Sequence, residues 1–253
     1  MCRHLGYLGP PVQLRDLLFD PPHSLAHQSW APSDMRGGGT INADGFGVVW
    51  YDAATGLPVR YRRDRPLWSD ADLPALAGAV RAGAVLAAVR SATVGMPVTE
   101  PATPPFLDGR WAFSHNGVVA GWPGSVAGLA DALPVHDLLT LDAPTDSALL
   151  WALVRDRLRG GAQLAPAVAA TVAEVAAVAP GSRLNLLATD GSTLVATVLG
   201  HALSVRASAV SVLVSSEPLD AGPGWSPVPD RHLLVATPST VDISLLPDQV
   251  RTS

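Results

Sequence analysis

Cysteine occurs once in this 253-residue sequence, lysine not at all, and charged residues make up only 15%. One cysteine excludes an intramolecular disulfide and a cluster of thiolate metal ligands. The missing lysine, beside plentiful alanine, valine, proline and arginine, reads as a coding bias without mechanistic content. No uninterrupted apolar run approaches the ~20 residues of a membrane helix, so no membrane partner is expected. The start lacks the charged, then apolar, then small-residue order of a secretory leader, which makes the cytoplasm the expected compartment. Net charge is -5 and the arginines are scattered. That argues against a nucleic-acid partner, whose footprint is basic and one-sided. The densest basic group, Arg60, Arg62, Arg63 and Arg65, reads as a solvated hairpin.

What is present is a substantial apolar fraction, 48%, ample for a buried core. The expectation is one domain over residues 1–253, without repeats; oligomeric state, a homo-oligomer included, is left open. Residues 3–9 read as a strand closed by Gly9-Pro10-Pro11, and 14–18 as a turn or two of helix. Residues 31–40, with Gly37-Gly38-Gly39, read as a mobile loop. Strands are expected at 48–51, 59–61, 85–89 and 111–114. A helix over 69–81 is expected with Ser69 as its N-cap. Residues 96–110 are proline-rich and irregular, and 120–144 are loop-rich. Thr145 is placed to cap a helix over 147–159, with an apolar stripe at Leu149, Leu150, Leu153 and Val154. A second helix follows over 165–178, then strands at 184–188, 194–198, 203–205, 210–214 and 232–236. Asp190-Gly191 is a hairpin signal between the first two of these. The order implies an α+β fold with antiparallel sheets and helices on their outer faces.

The lone cysteine is the second residue. Removal of Met1 would leave the thiol and a free α-amine on one residue. That amine, with an unperturbed pKa of about 7.7–8.0, can take the proton of a thiol whose own value is about 8.5. The alternative is a small buried cysteine in the first strand. Asn116-Gly117 offers an amide and a backbone N–H for an oxyanion, or else an ordinary turn at a strand end. Arg90 offers a bidentate fork for a carboxylate, with Thr93 and Gly95 nearby. Asp146 can hold an ammonium group, or simply favour a helix start. His23 and His27 are four residues apart, but Pro21-Pro22 and the lack of a nearby acid speak against a metal site. No cofactor is expected.

Together these segments resemble a known family. Met1 to Gly9, Arg90-Ser91-Ala92-Thr93-Val94-Gly95, His115-Asn116-Gly117 and Thr145-Asp146-Ser147 occur in the order found in the glutaminase domains of class II glutamine amidotransferases. Asn42-Ala43-Asp44-Gly45-Phe46-Gly47 resembles their stand-alone branch. Ala88 to Thr93, Arg183-Leu184-Asn185 and Ser215-Ser216-Glu217-Pro218, with Gly224-Trp225-Ser226 and 229–233, resemble the ergothioneine-biosynthesis γ-glutamyl amidohydrolases. The resemblance implies a four-layer αββα sandwich of the N-terminal-nucleophile hydrolase type. It implies Cys2 as nucleophile, Asn116 and Gly117 as the oxyanion hole, Arg90 and Thr93 on an α-carboxylate, and Asp146 on an α-ammonium. The implied reaction is hydrolysis of the γ-glutamyl amide of a small molecule, γ-glutamyl-hercynylcysteine sulfoxide, through a thioester. Ser91, Val94 and Arg3 depart from the larger glutamine-using enzymes, and no synthase region is expected to receive ammonia. Alternatives are a glutaminase subunit feeding a partner protein, and a non-enzymatic thiol-sensing or ligand-binding domain. Asp44, the loop at 31–40 and Trp68 are candidates for the leaving-group subsite.

Overall fold

A computed structural model describes residues 2–35 and 41–247. The tip of the expected loop, residues 36–40, and Met1 lie outside the described residues. The chain opens with β1 (Arg3–Gln13), which runs through Gly9-Pro10-Pro11 and changes register there, between Leu8 and Val12. The first half then gives α1 (Arg15–Leu18), α2 (Leu25–Trp30), β2 (Phe46–Tyr51), β3 (Pro58–Arg63), α3 (Leu73–Ala79) and β4 (Arg81–Val89). The second half holds β5 (Phe106–Asp108), β6 (Trp111–Val118), α4 (Ala127–Ala130), α5 (Val135–Leu139), α6 (Asp146–Arg159) and α7 (Leu164–Val178). It closes with β7 (Arg183–Thr189), β8 (Leu194–Val198), β9 (Ser204–Ala207), β10 (Val212–Ser215), β11 (Trp225–Pro227), β12 (His232–Thr237) and β13 (Thr240–Leu245).

The strands form two antiparallel sheets. One is ordered β11-β9-β10-β1-β4-β2-β3 and the other β13-β12-β8-β7-β6-β5. Alternation along the strands builds the layers, because successive side chains point to opposite faces. In β1 and β4, Leu5, Tyr7, Val85, Ala87 and Val89 pack with Leu17, Leu25, Leu73 and Ala77 of the first helical layer. Leu8, Ala84 and Leu86 point the other way, onto Leu187, Leu194 and Ala196 of the second sheet. The outer face of that sheet, with Phe113, Leu184 and Leu186, is covered by α6 and α7. The result is helix, sheet, sheet, helix. Gly6 lies where the sheets meet most closely: a Cβ there would come within 2.4 Å of a Leu194 methyl.

The apolar stripe of α6 is buried as expected, and Thr145 caps it, its hydroxyl accepting Ala148 N–H at 3.2 Å. Three local expectations fail. The helix expected over 69–81 is only Leu73–Ala79, because 81–89 is recruited as a strand beside β1. Its first turn is tied down by Asp70, which accepts Leu73 N–H at 2.8 Å, and Ser69 does not cap it. The arginine hairpin is less solvated than its composition suggests: Arg62 is largely covered, beside Glu100 and Asp142. Asn116-Gly117 is not a turn. Both residues continue β6 and pair with Asn185 and Leu184 of β7.

Candidate active site

β1 lies in the middle of its sheet, and its first residues sit beside the end of β4, with Arg3 opposite Val89. Cys2 precedes β1 at this edge, partly exposed, its Sγ 3.6 Å from the Ser91 carbonyl. Continued alternation puts Cys2 with His4 on the face toward the second sheet. That sheet is fastened to the first here by two hydroxyls, Ser114 Oγ, 3.3 Å from His4 Nδ1, and Ser216 Oγ. Ser216 Oγ accepts His4 N–H at 2.9 Å and stands 3.5 Å from the Asn116 amide nitrogen, while Ser216 N–H donates to the His4 carbonyl at 2.9 Å. The nucleophile strand and the expected oxyanion residue are thereby held at one mouth.

Gly117 follows Asn116 where no side chain fits. A Cβ would lie 1.9 Å from the Arg183 carbonyl oxygen and 2.6 Å from His115 Nε2. The Asn116 side-chain carbonyl is buried without a hydrogen-bond partner among the described residues. His115 Nε2–H donates to the Arg183 carbonyl at 3.0 Å, and its Nδ1 lies 2.9 Å from Ser147 Oγ. Burial holds its imidazole below the ordinary range, although Asp146 pulls the other way.

Arg90 directly follows β4 and is 6% exposed. One guanidinium nitrogen donates to the Pro97 carbonyl at 2.8 Å, and no carboxylate pairs with it among the described residues. Asp146 is as deeply buried and has no cationic partner among them. Its oxygens accept Val119 N–H at 3.0 Å and Ser147 N–H at 2.7 Å. Thr145 already caps the helix, so the carboxylate of Asp146 is available for another role. A guanidinium and a carboxylate kept buried without ionic partners are costly, and suit a ligand bearing the opposite charges. Thr93 is exposed on the loop after β4, and its backbone carbonyl accepts Met96 N–H at 2.9 Å. The structure brings Cys2, Arg90, Asn116, Gly117 and Asp146 to one region and leaves Thr93 on the loop above it. Asp44 braces that loop, accepting Ala92 N–H at 2.8 Å, and is thereby already engaged.

A second charged group, not anticipated from the sequence, lies behind the nucleophile. Arg3 donates to Glu217 at 2.7 Å, to the Cys2 carbonyl at 3.0 Å and to the Asp34 carbonyl. Glu217 also meets His23 Nε2 at 2.6 Å and accepts Ser33 N–H at 2.8 Å. Burial alone would raise the Glu217 carboxyl; these hydrogen bonds outweigh it and hold the group down at about 2. His23 and His27 stand 3.0 Å apart through their Nδ1 atoms, and the acid absent from their sequence neighbourhood arrives as Glu217. Among the described residues no three His, Cys, Asp or Glu side chains are grouped to hold a metal ion. The clue to Glu217 was the segment Ser215 to Pro218, quoted for its resemblance without a role. Nothing local could pair it with residues 214 and 194 positions away.

Beside this group opens a cavity of about 870 Å³, with His23, Ser33, Ser204, Ser216, Glu217 and Asp220 in its wall. A small void of about 10 Å³, lined in part by Asn116, His201, Ala202 and Ser216, shares Asp34, Ala202 and Ser216 with it. Trp68 and Asp44 line neither.

The comparisons with known proteins agree with this geometry. The profile of the family described as glutamine amidotransferases class-II matches residues 13–209. A protein of Mycolicibacterium smegmatis named gamma-glutamyl-hercynylcysteine sulfoxide hydrolase is 44% identical over 92% of this chain and 95% of its own. Its namesake from Mycobacterium tuberculosis is 43% identical over 97% of both. A probable glutamine amidotransferase of Saccharomyces cerevisiae is 28% identical over 95% of this chain and 83% of its own. Among solved structures, a glutamine aminotransferase class-II domain protein from Silicibacter pomeroyi superposes with a TM-score of 0.69. It is 26% identical, over 97% of this chain and 100% of its own.

Proposed function

This chain belongs to the class II glutamine amidotransferases, and from that premise we propose that it hydrolyses γ-glutamyl-hercynylcysteine sulfoxide to glutamate and hercynylcysteine sulfoxide. The observation that carries the reading is the 43% identity, spread over 97% of both chains, to a protein named for that hydrolysis. The geometry supports it. Removal of Met1 gives Cys2 an α-amine that takes the thiol proton. The sulfur attacks the γ-carbonyl carbon, and the oxyanion is received by the Asn116 amide and the Gly117 N–H. The C–N bond breaks, the amine leaves with the proton held by the α-amine, and a γ-glutamyl thioester remains. Water, giving its proton to the same amine, releases glutamate and restores the thiol. Arg90, with Thr93 when its loop closes over the ligand, grips the α-carboxylate, and Asp146 the α-ammonium. The charges missing around Arg90 and Asp146 are those such a substrate brings.

The proposed setting is one domain working in the cytoplasm; no helix among the described residues is long and apolar enough to cross a membrane. The test is glutamate release from the sulfoxide conjugate, its thioether, glutathione and glutamine. The conjugate should have the highest kcat/KM. Faster turnover of glutamine would replace this reading with that of a glutaminase feeding ammonia to a partner. Intact mass of the purified protein should show Met1 removed, and a retained methionine would end the amine-as-base mechanism.

A further inference from the structure

The γ-glutamyl half of the substrate has its partners in Arg90 and Asp146. Nothing above says where the other half goes, and the two possible substrates differ there most. Glutamine releases ammonia, which needs no more room than a water, about 30 Å³. A hercynylcysteine-type amine is the size of a dipeptide and calls for a pocket of roughly 300–1,000 Å³.

The geometry points to the 870 Å³ cavity as the subsite for the leaving amine, reached from the oxyanion residue through a neck formed by Ala202 and Ser216. This rests on the hydrolase reading and deepens it. Three observations support the assignment. The first is adjacency: the small void, with room for about one water, is lined by Asn116 and shares Ala202, Ser216 and Asp34 with the cavity. A second cavity of about 450 Å³, beside Tyr7, Val12 and Leu213, shares no residue with that void. The second is unmet hydrogen bonding. Asn116 and His201 are 1% and 3% exposed, both line the void, and the Asn116 side-chain carbonyl and His201 Nδ1 have no partner among the described residues. Buried polar atoms left unpaired are costly, and a polar group passing between mouth and cavity would satisfy them.

The third observation is the chemistry of the wall. Hydroxyls of Ser33 and Ser204, the His23 ring and the Asp220 carboxylate alternate with Ala202, Pro218 and Ala221. A mixed wall suits an amine carrying both an imidazole and charged groups, and has no use when the leaving group is ammonia. The same wall includes Glu217, which Arg3 ties to the Cys2 carbonyl, so occupant and nucleophile share one rigid support.

The inference is tested with two substrates of unequal leaving group, the sulfoxide conjugate and γ-glutamyl methylamide, on wild type and two variants. Ala202→Phe narrows the neck, and Ala221→Trp fills the rim from an exposed position where folding is not at risk. In both, kcat/KM for the conjugate should fall by roughly tenfold or more while the methylamide stays within about twofold. Equal losses on the two substrates, or no loss on either in the folded Ala221→Trp protein, would overturn the subsite. A wild-type enzyme that cleaves the methylamide and leaves the conjugate intact would instead overturn the hydrolase reading, and that outcome is visible before any variant is made.

Discussion

Two buried charged groups flank Cys2, and they are built on opposite plans. Arg3 and Glu217 satisfy one another: the guanidinium donates to a carboxylate and two carbonyls, and the carboxylate accepts from His23 and the Ser33 N–H as well. Arg90 and Asp146 are left open, each with backbone partners and no opposite charge among the described residues. Saturated charges of the first kind fix geometry, and removing one strands the other in a dry interior. Open charges of the second kind add little to folding and await a ligand. The same residue types therefore act as scaffold on one side of Cys2 and, in the function proposed, as receptor on the other.

Substitutions can break that contrast. The largest effect belongs to the nucleophile between the two groups. Cys2→Ala should fold, with an unchanged circular dichroism spectrum, and lose at least roughly four orders of magnitude in glutamate release. Retained activity would remove the premise. Next comes the saturated pair. Glu217→Ala should cost about 3–5 kcal/mol in denaturant unfolding, because buried Arg3 is left without its carboxylate. A stability loss below about 1 kcal/mol would show that the pair is not scaffold. Arg90→Ala should do the reverse, raising KM by roughly 10- to 100-fold while changing stability by less than about 1 kcal/mol. Asp146→Asn should also act through KM, by a smaller factor, since the amide oxygen still accepts one of the two N–H groups while the charge facing the ammonium is lost. Normal kinetics for this variant would return Asp146 to a helix-start role.

The last effect is read in the pH profile of stability and needs no change at the site. His4 is held at about 3 by burial, with His115, His201 and Arg3 adding repulsion, and His201 at about 4 by burial and the nearby Arg183. Their ordinary value is 6.5. Below it the unfolded chain takes up protons that the folded chain refuses. Stability should be full above pH 6.5 and fall as pH drops toward 4, an effect absent in a variant lacking both imidazoles. A flat melting temperature between pH 7 and 5 would contradict the burial of these rings.

Much of this was legible in the sequence where the signal is local. The helix α6 announced itself through Thr145 and the stripe Leu149, Leu150, Leu153, and α7 through its unbroken apolar period. The residues proposed for the site, Cys2, Arg90, Asn116 and Asp146, could be singled out because each stands within a short recognisable segment. What escaped reading depends on distant partners. Asn116-Gly117 looks like a turn until β7 pairs with it, and Ser69 looks like a cap until Asp70 is seen to take the N–H groups. β13, Thr240–Leu245, is the exception: Val241, Ile243 and Leu245 alternate with polar residues, a local strand signal that was not among the expected strands. The Glu217 group joins segments from both ends of the chain, so no window of sequence contains it.

Gly117 sets a limit on how the oxyanion hole can be probed. Its proposed contribution is a backbone N–H, which no side-chain replacement deletes, and any replacement drives a carbon into the Arg183 carbonyl 1.9 Å away. A dead Gly117→Ala enzyme would thus report a forced separation of β6 from β7 rather than a lost donor. Separating the two requires an edit to the main chain itself, an ester in place of the amide, which removes the hydrogen and leaves the strands where they are.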